Sequence, residues 1–181
     1  ALSEKLGLMP AYKGINNNGE LISGANGFRL PFEAEWVFAA KGGQDFKYAG
    51  SDNLKEVGWH SGWDGGNVTN EQTQPVAHLK PNGYGLYDMS GNMWEWCADD
   101  YGNPGQHRLG APERAYRGGS WGSVADYCEV SRRNWYSPDR RRNDLAVHDE
   151  HRAERPRARA PPQRSDNEHG SRGIVIVPRQ L

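Results

Sequence analysis

Seventeen residues, Pro81-Asn82-Gly83-Tyr84-Gly85-Leu86-Tyr87-Asp88-Met89-Ser90-Gly91-Asn92-Met93-Trp94-Glu95-Trp96-Cys97, limit what this chain can become more than any other stretch. Asn82-Gly83 and Gly91-Asn92 accept left-handed backbone at low steric cost, so Tyr84 to Met89 is expected to form a short aromatic strand between tight turns. Trp94 and Trp96 then alternate about Glu95, which predicts a second strand. Period two places both indoles on one face and Glu95 on the other, facing the carbonyls of a glycine-rich turn. Oxygen donors of that kind suit a hard cation such as calcium.

Composition agrees with an irregular, aromatic core. Only 35% of residues are apolar, but seven Trp and eight Tyr bury large area, and 23 Gly with 11 Pro imply a loop-rich fold. A length of 181 residues suits one domain. The net charge of −1 gives no general reason to expect nucleic acid or membrane partners, and no run of eighteen apolar residues or opening signal peptide is present.

Two further motifs flank the central stretch in order: Gly27-Phe28-Arg29-Leu30-Pro31-Phe32-Glu33-Ala34-Glu35-Trp36 before it and Arg117-Gly118-Gly119-Ser120-Trp121 after it. Together the three resemble the signature of the formylglycine-generating-enzyme-like, or sulfatase-modifying-factor, superfamily, over residues 9 to 145. The resemblance implies an α+β, loop-rich, C-type-lectin-like fold of the formylglycine-generating-enzyme type over residues 1–145. It also implies that a strand and helix normally precede the point where this chain begins, with Ala1 to Leu8 the last turns of that helix and Gly7 its stop. For a cation, it implies Glu95 with backbone oxygens of Ser90, Gly91 and Met93; hydrogen bonding of Glu95 to turn amides is the alternative. The superfamily's oxidases bind copper with two cysteines after the Gly-Gly-Ser, and these fall on Ser123 and Cys128. A serine hydroxyl is neither a soft-metal ligand nor a redox thiol, so that chemistry is not expected. Cys128 would be catalytic only if a lone thiol sufficed, with His107 the nearest histidine in sequence. Cys97 and Cys128 are the only cysteines, and either one disulfide or two buried thiols is compatible with the sequence.

Elsewhere, residues 9 to 26 predict a small hairpin or loop about the turn cluster Asn16-Asn17-Asn18-Gly19. Pro31 opens a predicted helix to about Ala40 that carries Trp36 inward and has Phe32 where the family has a capping Thr. Residues 42 to 74 read as ordered loop, in which Asp52, Asn53, Asp64 and Asn67 fit turn chemistry better than a second cation site. Asp99 to Glu113 reads as surface loop. Residues 146–170, rich in Arg and Pro, are expected to be disordered, and 171–181 to hold a possible terminal strand at Ile174 to Val177. His148 and His151 have metal-ligand spacing but no further ligands. Lysine stops at Lys80, while ten of sixteen arginines follow residue 138, which suggests a different origin for the tail.

Between Trp121 and Asp144 structural-looking residues alternate with chemically unrelated ones. Gly122, Ser123, Val124, Asp126, Tyr127, Arg132, Arg133, Trp135, Tyr136, Ser137, Asp139, Arg140, Arg142 and Asp144 mix rigid aromatics, arginines and small hydrogen-bonding groups, the vocabulary of a binding surface. The stretch resembles the variable region of proteins diversified by retroelements, in which asparagine codons are rewritten at adenines; Glu129 and Trp135 are not reachable that way. The sequence thus points to a non-enzymatic domain binding a protein or other macromolecule through residues 122–144, with Tyr127, Arg132, Trp135, Tyr136 and Arg140 expected to carry most affinity. Such a role favours the cell surface or exterior. An enzyme, or an inactive regulatory paralogue, is the competing reading.

Overall fold

The computed structural model describes residues 2–14, 19–62, 65–68, 72–107, 111–138 and 143–146. Its centre is strand β3, Trp94–Asp100, named here in a series with α1 (Leu2–Lys5), β1 (Tyr12–Lys13), β2 (Glu20–Leu21), α2 (Glu33–Lys41) and α3 (Leu54–Val57) before it. After it come β4 (Arg114–Arg117), a 3-10 turn at Ala125–Cys128, β5 (Asn134–Tyr136) and β6 (Leu145–Ala146). The sheet order is β5-β4-β3-β6, with β3 antiparallel to β4, β4 antiparallel to β5, and β6 parallel to β3. β1 and β2 pair antiparallel, so of the two readings of residues 9 to 26 the structure has the hairpin.

The period-two expectation for β3 holds. Trp94 and Trp96 pack with Tyr116 and Leu145 on one face, while Cys97 and Ala115 meet Trp36, Ala40 and Met89 from the α2 side on the other. Burial of these indoles and aliphatic groups is the main favourable term for a chain so poor in aliphatic residues. Trp36 is fully buried, and its indole N–H donates to Glu95 Oε2 at 2.7 Å, which ties helix to sheet.

Helix α2 starts two residues later than Pro31, at Glu33 with Phe32 as its N-cap. Phenylalanine cannot accept a hydrogen bond, and two carboxylates take over: Glu35 Oε2 accepts from Phe32 N at 2.8 Å and Asp99 Oδ2 from Glu33 N at 2.6 Å. Pro31 instead offers its carbonyl to Ala98 N on β3, 2.8 Å away. At the other end Asn82 Nδ2 donates to the carbonyls of Ala39 and Ala40, at 2.7 and 3.0 Å. The same side chain explains why Tyr84 to Met89 is not the strand expected. Asn82 Oδ1 accepts from Tyr84 N and Leu86 N, at 3.0 and 3.1 Å, so donors that a strand would give to a neighbour go to one amide.

Asp99 and Asp100 also depart from the surface-loop expectation: both are buried at the end of β3, because loop amides of Gly105 and Gly102 donate to them. Asn53 caps α3, a short helix inside the expected loop, accepting from Lys55 N at 3.3 Å. Asp52 accepts from Lys47 N, and Asn67 bridges His60 N and the Gly58 carbonyl, so both perform turn chemistry. No helix among the described residues is long and apolar enough to cross a membrane. Of the segment 146–170 expected to be disordered, Ala146 is the last residue of β6; the rest of it, with 171–181, Asp64, His148 and His151, lies outside the described residues.

Candidate ligand-binding site

The site begins at Gly118 and Gly119, both with positive φ, at 93° and 77°. A Cβ on Gly119 would lie 2.5 Å from Cys128 Sγ, so only glycine lets the chain pass so close. Past this point Ser120 N donates to Ser123 Oγ at 3.0 Å, the two hydroxyls lie 3.1 Å apart, and Ser120 Oγ donates to Asp144 Oδ2 at 3.3 Å. Ser123 and Asp144, two residues of the expected surface, are therefore turned inward and buried. Cys128 is buried too, against Tyr48, Leu54 and Val57, with Sγ 3.8 Å from the Val124 carbonyl. Cys97 belongs to the other apolar cluster and neither cysteine is in a disulfide, so of the two readings of the cysteines the structure has two buried thiols. His107 is taken up elsewhere: its ring nitrogens face the carbonyls of Ala98 and Gly19, at 3.1 and 3.0 Å.

Arginine and glutamate organise the next turn. Glu33, at the buried start of α2, receives Arg117 Nε at 2.8 Å on Oε2, and Arg133 Nε and an amino group at 2.7 and 2.6 Å on its two oxygens. Burial would push this carboxyl up, but hydrogen bonds and charge from Arg133 and Arg117 outweigh it and hold it below its ordinary value. A second amino group of Arg117 donates to the carbonyls of Val130, Ser131 and Arg132, at 3.3, 3.1 and 3.0 Å. Arg133, expected on the binding surface, is thus engaged with Glu33 and with the Tyr101 ring, 4.6 Å from its guanidinium.

The remaining candidates divide between two faces because β5 alternates. Ala115 pairs with Trp135 and Tyr116 with Asn134, so Tyr136 joins the Trp94–Tyr116 cluster while Trp135 lies on the α2 side beside Tyr101, ring centroids 6.3 Å apart. Tyr127 leans edge-on against Trp94, with centroids 6.2 Å apart, and carries the Arg132 guanidinium 4.5 Å above its ring. Gly122, Asp126, Arg132 and Trp135 are exposed; Val124, Tyr127, Tyr136 and Ser137 are half-buried. Asp139, Arg140 and Arg142 lie outside the described residues.

The cation candidates surround the turn before β3. Glu95 is partly buried, and desolvation pushes its carboxyl up to about 7, eased by the Trp36 N–H and reinforced by the charge of Asp88. Asp88 was not among the candidates, since an acid in a turn usually serves the turn. One of its oxygens accepts from Ala77 N at 2.9 Å; Oδ1 is buried without a well-aligned donor, the nearby Asn92 amide, which donates to the Gln74 carbonyl, only easing the carboxyl's charge. Desolvation raises Asp88 as well. The Gly91 carbonyl accepts from Met93 N at 2.8 Å, and the Ser90 hydroxyl bonds Ala49 N and the Cys128 carbonyl. Two mutually repelling carboxylates, one with an orphaned oxygen, are the charged oxygen donors this turn offers. The described residues hold no group of three or more His, Cys, Asp or Glu able to bind a metal.

A loop-rich α+β scaffold with one helix on a small mixed sheet, and with this signature turn, is a C-type-lectin-like fold of the formylglycine-generating-enzyme type. The family model described as sulfatase-modifying factor enzyme 1-like domain matches residues 4–147, and the chain belongs to that family. The formylglycine-generating enzyme of Thermomonospora curvata is 36% identical over 139 residues, covering 62% of this chain and 46% of that enzyme. The mouse protein named inactive C-alpha-formylglycine-generating enzyme 2 is 32% identical over 169 residues, covering 86% of this chain and 53% of the mouse protein. Among solved structures, Treponema denticola variable protein 1 matches with a TM-score of 0.69 and 36% identity, covering 80% of this chain and 63% of that one. The chain spans less than half the length of the Thermomonospora enzyme.

Proposed function

We propose that this chain is a non-enzymatic ligand-binding domain whose scaffold presents the outward residues of 122–144 to a macromolecular partner, this segment being the part rewritten by a retroelement. One observation carries the reading. Where a dithiol would have to stand, Ser123 is sealed into a hydroxyl network with Ser120 and Asp144, while aromatic and charged side chains of the same segment face solvent. The likeness to a variable protein supports it. The test is to pan a random-peptide display library on the full chain and on a variant carrying Asp126→Ala, Arg132→Ala and Trp135→Ala together. The variant should lose capture while its melting temperature stays within about 2 °C, since exposed side chains contribute little to folding. Equal capture by both chains, or joint loss of fold, would remove the reading.

Calcium is proposed as a structural ion of this scaffold, held by Glu95 and Asp88 with backbone oxygens of Gly91, Met93 or Ser90. It would supply positive charge between two carboxylates that otherwise repel each other.

A further inference from the structure

Most charged side chains on the described part of this segment have an opposite charge beside them. Lys47 serves Asp126 and Glu129, at 3.8 and 3.0 Å, and Glu33 serves both Arg117 and Arg133. Among the described residues no carboxylate is paired with Arg132, which is exposed.

Arg132 is also held at both ends. Beneath it, Arg117 fastens the main chain through the carbonyls of residues 130, 131 and 132, and Arg132 N donates to the Glu129 carbonyl at 3.0 Å. At its tip the guanidinium lies over the Tyr127 ring, which is itself braced by Trp94. A guanidinium stacked by its face keeps its N–H edge open for a carboxylate, and its planar fork matches the two oxygens. The contact with the ring reduces the side-chain freedom that binding would remove, so docking there costs less entropy than on a freely extended arginine.

We propose that the partner of this variant is an acidic protein segment, whose Asp or Glu carboxylate docks on Arg132 with Tyr127 as the platform; this rests on the ligand-binding reading above. Arg132 supplies charge and direction, and Tyr127 supplies rigidity. Lysine could not replace Arg132, because an ammonium neither stacks flat nor offers a fork.

Peptides recovered by panning on the full chain test this. They are expected to be enriched in Asp and Glu and to weaken with rising salt. Arg132→Gln and Arg132→Lys should each lower their affinity roughly 10-fold or more, the range of a charge-assisted pair. Tyr127→Phe should keep affinity and Tyr127→Ala lose it, with melting temperatures recorded for every variant so that unfolding is seen as such. Peptides that need Trp135 but are not acidic, and that ignore Arg132→Gln, would overturn the acidic partner and leave the binding surface standing. Peptides indifferent to every substitution would overturn both. Arg132-dependent capture of a single-stranded oligonucleotide in preference to peptides would overturn the partner class.

Discussion

At the scale of single residues, Glu95 and Glu33 show opposite uses of a carboxylate inside the fold. Glu33 meets two guanidinia and stays charged, whereas desolvation, with the charge of Asp88 adding to it and the Trp36 N–H only easing it, raises the Glu95 carboxyl from 4.5 to about 7. The sign of the consequence follows. Between those two values the folded chain holds more protons than the unfolded chain, so without a cation stability falls as pH climbs from about 4.5 to about 7, then levels off. The loss is on the order of 3 kcal/mol, and Asp88 adds to it in the same direction. Bound calcium would favour the ionised carboxylates and flatten the slope. Melting curves over this range in EDTA and in calcium chloride should diverge toward neutral pH, and Glu95→Gln should bring them together. Superimposed curves for the unaltered chain would remove the ion.

At the scale of elements, helix α2 depends on residues far from it in sequence. Asp99 is buried and accepts from Glu33 N and Gly105 N, so one side chain starts the helix and closes a loop. Asp99→Ala leaves both donors without that acceptor and should cost about 1–3 kcal/mol for each one that stays dry, with Asp99→Asn milder. Urea unfolding reads this directly; a loss below about 0.5 kcal/mol would mean that water replaces the carboxylate. Strand β5 has a different consequence. Its alternation divides Trp135 from Tyr136, which places the two expected binding residues on opposite faces of the sheet. The glycine and tryptophan motifs made the family fold and β3 readable, because their meaning is local: turns, alternation and volume. Glu33 was not readable as a hub, since its partners lie 84 and 100 residues away and an acid near a helix start already has a sufficient local reason. The tie of Arg133 to Glu33 was unreadable for the same cause, as sequence separates a free arginine from a paired one only when its partner is known.

At the scale of the whole molecule, the two cysteines sit in different apolar clusters and contribute packing rather than a link. Burial pushes the Cys97 thiol well up, with Glu33 adding to the effect, which keeps it unreactive. Reducing agent should therefore leave the melting temperature unchanged, and thiol reagents should label Cys97 and Cys128 only after denaturation. A disulfide closing about thirty residues would instead make reduction cost roughly 3–4 kcal/mol.

Arg117 grips its loop through carbonyl oxygens, and every amino acid carries one. The anchor is therefore blind to which side chains stand at 131 and 132, so their identities can drift or be shuffled without the scaffold registering the change. Position 133 has no such licence, because Glu33 recognises the guanidinium itself. Novelty and foldability are thus separated by a single peptide bond, and selection for new partners can work on one side of it while selection for a sound fold holds the other.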